Sequence, residues 1–422
     1  MTHMSRERKL LIFAGVLLCG GGQGILINTL SIFVKPVTES LGFDRGPFAL
    51  YASIISLVAV ATLPLYGELY RKTWFPQFMV ASAVVCSAAL FSYSFCASLP
   101  AFYVLSVILG LFFHGTSITA VANVLSRWFG RNKGLATGIC FSGSGIFAAV
   151  MLRLTNPVIE QFGWAWGYRL IGLSGLILLS VGSVIVCWVE SRKPFCLRHD
   201  DPEFSVCSRG SVSLELTRRE AVHTCAFWGL LLGCFLISAS VQAGGSSIAA
   251  YLSDLGYDTS FQGQLASVSM LALAAGKILI GKLLDRTGMR VGFVCITGAL
   301  AGYAVSLIFL DRPVFTALYV IFYGIAASGS TVLVSYSVIS CFGSADYSRI
   351  YALTSIAVNL GVAAGNWVPG EVFDLWGSYL PGWYALVVVA LVVGVLFAMT
   401  GYDQLKRCAA TYRRGKEEGI SH

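Results

Sequence analysis

Long apolar stretches recur along this chain, cut by short polar, glycine or proline breaks. A helix that crosses a bilayer needs about 20 mostly apolar residues. Twelve runs meet that length: 10 to 34, 46 to 67, 77 to 96, 100 to 125, 134 to 158, 166 to 189, 223 to 251, 260 to 284, 291 to 309, 313 to 341, 347 to 372 and 380 to 401. The pattern predicts twelve transmembrane helices. The basic, then apolar start "RERKLLIFAGVLLCGGG" resembles a secretory signal, but Leu18 is too large to precede a cleavage site before Cys19, so an uncleaved first helix is expected.

The pattern also repeats. "ESLGFDRGPFALYAS" (39 to 53) lies on "SDLGYDTSFQGQLAS" (253 to 267) at an offset of 214, and "LYGELYRKT" (65 to 73) lies on "LIGKLLDRT" (279 to 287) at the same offset. Further on, "RWFGRNKGLATG" (127 to 138) and "SCFGSADYSRIYALT" (340 to 354) align at an offset of 213. Six spans make one copy, and an even number of spans leaves both copies facing the same way. The expected fold is all-α and integral to the membrane: twelve transmembrane helices in two parallel, pseudo-symmetric six-helix bundles. The bundles are expected at 1–189 and 223–401, with a cytoplasmic linker at 190–222 and a cytoplasmic tail at 402–422. The linker's mixed polar composition reads as flexible. In such duplicated carriers the substrate site is expected at the midplane between the halves.

Composition agrees with the membrane reading. Of the 422 residues 56% are hydrophobic and 12% charged, against about 25% charged in soluble domains. The net charge of +8 reflects topology. With the N-terminus inside, 23 of the 29 Lys and Arg residues fall in inner segments. Both termini are therefore expected in the cytoplasm, in a multi-pass protein of the cell membrane, plasma or inner. No basic stripe interleaved with aromatics suggests nucleic acid. The twelve cysteines are scattered without a Cys-x-x-Cys pair, and the five histidines stand apart from them, so neither a metal site nor a cofactor is expected. No nucleophile cluster or nucleotide-binding loop marks an enzyme or an ATP-driven pump.

Two cations lie more than one turn inside a span, Lys277 in the eighth and Arg153 in the fifth. Asp285 marks the inner end of the eighth span, so Lys277 stands about 12 Å up the helix, near the bilayer centre. All 21 acids fall in loops, tails or the last turns of helices. A cation at mid-depth facing a wet cavity attracts anions, and the substrate's own carboxylate is the simplest partner from sequence alone. Snorkelling would require about twice the reach of the side chain. Arg153 lies about 28 Å along its helix from Gly134, near the outer surface, where it either snorkels or contacts an anion in an outer vestibule.

Other candidates are polar or aromatic. His114 in "GLFFHGTSITA" lies near the midplane, where it can meet a carboxylate, take up a coupling proton, or bond between helices as a neutral ring. Gln23 and Asn359 sit near mid-depth, and Asn28 and Gln242 occupy equivalent positions of the two copies. Each amide can donate to a substrate oxygen or bond to another helix. Tyr319 and Tyr323 share one face of the tenth span, as pocket walls or as a packing stripe. "GICFSGSGIFA" (138 to 148) and "GVAAG" (361 to 365) give the fifth and eleventh spans small-residue faces for close packing.

"GKLLDRTGMR" (281 to 290) resembles the signature of the major facilitator superfamily, Gly-x-x-x-Asp-Arg-x-Gly-x-Arg. It matches at Gly281, Asp285, Arg286, Gly288 and Arg290. The first copy, "GELYRKTWFPQ", departs from it, with Arg71 in place of the acid. "SIFVKPVTESLGFDR", "RWFGRNKGLATGICFSGSG" and "GEVFDLWGSY" resemble the oxalate/formate antiporters and monocarboxylate porters. The resemblance implies gating by Asp285, Arg286, Gly281 and Arg290 after the eighth span and by Arg127 and Arg131 after the fourth. It also implies a substrate-binding cation in the eighth span, with Lys277 where oxalate/formate relatives carry arginine. A lysine cannot grip a carboxylate bidentately. The eleventh span lacks the second cation of the oxalate carriers, and a monoanion is favoured.

The sequence therefore predicts a secondary active transporter of a small organic anion, as an exchanger or a proton-linked symporter. It is expected to act as a monomer among membrane lipids, with protons as the optional second partner. The alternatives are a drug or metabolite exporter of the same superfamily and, more remotely, a non-transporting membrane sensor.

Overall fold

The computed structural model describes residues 6–43, 45–129, 133–192, 216–344 and 346–417, and these are almost entirely helical. The helices are α1 (Arg6–Cys19), α2 (Val34–Leu41), α3 (Arg45–Leu69), α4 (Phe75–Ser92), α5 (Leu99–Phe113), α6 (Ile118–Trp128), α7 (Lys133–Phe162) and α8 (Trp164–Arg192). They continue as α9 (Arg218–Val222), α10 (Cys225–Asp254), α11 (Thr259–Thr287), α12 (Met289–Ile308), α13 (Pro313–Ser328), α14 (Val334–Phe342), α15 (Tyr347–Trp376) and α16 (Leu380–Glu417). Among the described residues eleven segments are long and apolar enough to span a membrane. The expected eleventh span, 347 to 372, is the 30-residue α15. Asn359, Asn366 and its hydroxyl residues make it less apolar than the others.

Two compact units emerge. One holds α1 to α6, α7 from Ile139 onward, and α8; the other holds the first turns of α7 up to Gly138 together with α9 to α16. Within the first, α3 packs on α5, α4 on α8 and α5, and α1 on α8. The second repeats these pairings with α11 on α13, α12 on α16 and α13, and α10 on α16. Positive-φ glycines mark the same repeat: Gly42 matches Gly256 and Gly163 matches Gly377, each at the offset of 214. All four adopt backbone conformations that other residues enter at a steric penalty.

Three expected continuous spans are interrupted. The first is α-helical only to Cys19, then forms a π-helical segment over Gly20–Ile25, a turn over 26–29 and a 3₁₀ turn over Leu30–Phe33. Gly20, Gly21, Gly22 and Gly24 explain the break, because glycine is a poor helix former and lets neighbours approach. A Cβ at Gly24 would lie 2.8 Å from the Ser144 carbonyl oxygen. The fourth span breaks at 114–117, between α5 and α6. The tenth contains a π-helical segment at Gly329–Leu333, between α13 and α14. At the offset of 213, Thr116 and Ser117 fall on Gly329 and Ser330, so both copies of the repeat are interrupted at one level.

Within 190–222, α8 runs on to Arg192 and α9 is ordered by a capping box between Thr217 and Glu220. The Leu216 amide donates to the Phe342 carbonyl at 3.0 Å and the Arg218 amide to Asp346 at 2.9 Å. Residues 193–215 lie outside the described set. The expected tail is helical as far as Glu417.

The first unit is centred on buried rings. Phe33 stacks on Tyr168 at 3.8 Å, Tyr93 stacks on Phe102 at 5.4 Å, and Tyr51 meets Tyr93 edge-on at 5.7 Å. Their hydroxyls are satisfied in series: Tyr168 donates to Tyr51, which donates to the Leu30 carbonyl. Outward-facing leucines and valines such as Leu57, Leu65, Val294 and Leu391 are exposed, as a lipid-facing surface requires.

Candidate functional site

Lys277 lies in α11, eight residues before Asp285, which corresponds to about 12 Å along the helix. Its side chain is 3% exposed, so the ammonium is enclosed by protein instead of resting on a lipid-facing surface. Glycines on both sides hold the helix here. A Cβ on Gly276 would collide with the Gly324 carbonyl of α13, and one on Gly138 would collide with the Lys277 carbonyl itself. Lower down, a Cβ on Gly134 would lie 2.5 Å from the Gly281 carbonyl oxygen. The backbone of α11 is thereby pressed between α13 and the first turns of α7.

Asp285 joins the same α7 turns. Its carboxylate accepts from the Gly134 amide at 2.9 Å and from the Leu135 amide at 2.7 Å, both orphan donors at the helix start. Lys133 stands over the Tyr336 ring at 4.9 Å. Arg286 and Arg290 are exposed. Arg127 donates to the Tyr70 carbonyl in the first unit. Arg131 lies outside the described residues.

Elsewhere in the second unit, Tyr319 and Tyr323 stack at 5.8 Å and Tyr303 joins them, all three buried. Tyr303 donates to the Val241 carbonyl at 3.3 Å, and Tyr323 stands 3.7 Å from the place of a Cβ on Gly245. These rings pack against α10 on either side of Gln242. Gln242 donates to the Asn366 side-chain oxygen at 2.8 Å. Asn359 donates to the Ser355 carbonyl of its own helix at 2.8 Å.

The first unit gathers the others. His114 closes α5, 2% exposed, with Nδ1 3.3 Å from the Ser117 hydroxyl and its ring 5.6 Å from that of Tyr66. Its Nε2 is buried without a hydrogen-bond partner among the described residues. The π-helical segment that carries Gln23 meets this break, since a Cβ on Gly22 would lie 2.5 Å from the Thr116 carbonyl oxygen. Gln23 and Asn28 are half-buried, and Arg153 in α7 is exposed.

The candidates thus divide between units: Gln23, Asn28, His114, Arg153 and Arg127 in one, Lys277, Gln242, Asn359, Tyr319, Tyr323 and the Asp285 group in the other. The sequence reading missed Asn366, Ser117 and the glycines Gly276 and Gly324. Asn366 had a signal, because at the offset of 213 it falls on Arg153. The Gly276 and Gly324 pairing had none, as only the crossing of α11 with α13 brings them together. Among the described residues no group of three or more metal-ligating side chains occurs.

Comparison with known proteins places this arrangement. Mouse monocarboxylate transporter 2 is 20% identical over 413 residues, covering 94% of this chain and 85% of that protein. Human monocarboxylate transporter 12 is 28% identical over 312 residues, 68% of this chain and 59% of that protein. The crystal structure of the human organic anion transporter MFSD10 superposes with a TM-score of 0.66 at 14% identity, covering 94% of this chain and all of that one. The proton:xylose symporter XylE superposes with a TM-score of 0.68 at 12% identity, covering 94% of each chain. Both establish the fold. The family model of the Major Facilitator Superfamily matches residues 12–322 and 230–407, and on that match the chain belongs to the Major Facilitator Superfamily.

Proposed function

We propose that this protein is a secondary active transporter of a small organic anion, most simply a monocarboxylate, working by alternating access. The observation that carries the reading is Lys277, a 3% exposed cation eight residues above the inner end of an apolar helix, in a chain whose relatives include monocarboxylate transporters. A buried ammonium is expensive in hydrocarbon and marks a functional site by default. Lysine acts as a point charge and suits one carboxylate better than the bidentate grip that arginine supplies. Gln23, Gln242 and Asn359 supply amide donors to the substrate, and Asn28 supplies one away from Lys277, with Tyr319 and Tyr323 as apolar walls. Asp285 with Gly281, Arg286, Arg290, Arg127 and Arg131 serves the inner gate. His114 takes up the coupling proton where the flux is proton-linked. The protein acts as a monomer in the cell membrane with both termini in the cytoplasm, and it carries out no covalent chemistry.

Uptake of labelled acetate, propionate and benzoate into proteoliposomes tests this, with wild type beside Lys277→Ala. Saturable uptake that Lys277→Ala abolishes supports the reading. Wild-type protein that carries none of them, or a mutant that carries them equally well, overturns it. Repeating the uptake with an internal anion and with a pH gradient assigns exchange or proton-linked symport.

A further inference from the structure

We infer that Arg153 and Asn28 form a second carboxylate-binding subsite in the first unit, separate from Lys277. This rests on the carboxylate reading above and adds a contact to it.

The internal repeat locates the pair. At its two offsets Asn28 corresponds to Gln242 and Arg153 to Asn366, and in the second unit Gln242 donates to Asn366 at 2.8 Å. The segments bearing them meet in matching register in both units, with Asn28 in the turn over 26–29 and Gln242 within the continuous α10. A Cβ on Gly361 would lie 3.0 Å from the Ser238 side chain, and at the equivalent crossing a Cβ on Gly24 would lie 3.4 Å from the Ala148 amide nitrogen. Ala148 corresponds to Gly361 and Gly24 to Ser238. Burial matches too: Gln242 and Asn28 are half-buried, Asn366 and Arg153 exposed. Carried one turn beyond the crossing, the same register pairs residue 28 with residue 153 as residue 242 is paired with residue 366.

The chemistry of the two pairs differs. In the second pair one amide donates to the oxygen of the other. In the first pair the partner is a guanidinium with five donors and no acceptor. Among the described residues neither the Arg153 nor the Asn28 side chain makes a hydrogen bond or ion pair. A carboxylate suits both side chains, because the planar fork of Arg153 binds two oxygens side by side and the Asn28 amide donates to one of them. Arg153 lies nine residues before the end of α7 at Phe162, about 14 Å along the axis, so the subsite receives the anion in the last three turns of α7. Its role is anion capture.

The test is the kinetics of labelled acetate, propionate or benzoate, whichever the wild type carries fastest, in proteoliposomes with Arg153→Gln, Arg153→Lys and Asn28→Ala. Losing an exposed charge-assisted contact should raise KM about fivefold in Arg153→Gln and leave kcat within about twofold. Arg153→Lys, with charge but no fork, should fall between, and Asn28→Ala should raise KM about twofold. An unchanged KM in Arg153→Lys and Asn28→Ala as well as in Arg153→Gln overturns the subsite and leaves the carrier reading intact. A wild type that carries no carboxylate overturns both.

Discussion

The Gly134 amide donates to one oxygen of the Asp285 carboxylate at 2.9 Å, and the neighbouring Leu135 amide takes the other at 2.7 Å. An acid supplied by α11 thus caps the start of α7. Capping an orphan amide with an anion is worth about 1 to 2 kcal/mol, from the hydrogen bond and from the helix dipole. Asp285→Ala should therefore lower the melting temperature in detergent and speed hydrogen exchange at Leu135 and Ala136. Arg286 is exposed, and Arg286→Ala should change stability by less than about 0.5 kcal/mol. Equal losses from both substitutions would mean that an ion-pair network, and not the cap, holds this corner.

Close backbone contact makes two glycines irreplaceable. Gly138 meets the Lys277 carbonyl and Gly276 meets the Gly324 carbonyl, so an added methyl forces the backbones apart. Gly138→Ala and Gly276→Ala should each cost about 1 to 3 kcal/mol and depress carboxylate uptake by shifting Lys277. Gly298, on α12, faces open space. There alanine should be neutral or stabilise by up to about 1 kcal/mol, through helix propensity. Thermal unfolding of the three variants distinguishes the positions, and equal stability would dismiss the contacts.

Hydropathy exposed the spans because lipid demands about 20 apolar residues in a row, whatever neighbours a helix has. The repeat was legible because turn glycines such as Gly42 and Gly256 need positive φ in both copies. The breaks in the first, fourth and tenth spans were not, because an interrupted helix stays as apolar as a continuous one. Only the glycine-rich "CGGGQG" hinted at the first of them. Lys277 was found as a charge in an apolar run, whereas its glycine supports depend on contacts between residues about 50 and 140 positions apart, which no local pattern encodes.

His114 fills the corner between α5 and α6, with Ser117 on Nδ1 and Tyr66 against its ring. His114→Ala removes a buried ring and its hydrogen bond to Ser117, at about 2 to 4 kcal/mol. Ser117→Ala loses that hydrogen bond and the one the hydroxyl accepts from the Thr119 amide, and should cost about 1 to 2 kcal/mol. Chemical denaturation of the purified variants gives both values, and a smaller loss for His114→Ala than for Ser117→Ala would show that the ring packs poorly.

Outside the membrane, Glu220 is held below the usual carboxylate range by hydrogen bonds from the Thr217 amide and hydroxyl. A carboxyl with a depressed value favours the folded state when ionised. Its contribution is present at neutral pH, declines below the ordinary carboxylate range, and is lost as pH falls through the depressed value. Amide protection across Arg218–Val222, corrected for intrinsic exchange, should therefore fall on acidification in wild type and stay flat in Glu220→Gln. A pH response retained in Glu220→Gln would transfer the effect to Asp346, which accepts from the Arg218 amide.

The amide pair Gln242 and Asn366 offers the last prediction, since it carries the register used to locate Arg153 and Asn28. Hydrogen bonds between membrane helices contribute about 0.6 kcal/mol on average and rarely more than about 1.7, because a separated side chain finds other partners. A cycle of Gln242→Leu, Asn366→Leu and the double variant should give a coupling energy in that range, with the double variant losing less than the two single losses combined. Both residues are accessible, so the single losses report their surroundings as well. Leucine should stabilise a site that faces lipid and destabilise one that faces water. Zero coupling would mean that the two amides prefer solvent to each other, and with it would go the structural precedent for pairing Asn28 with Arg153.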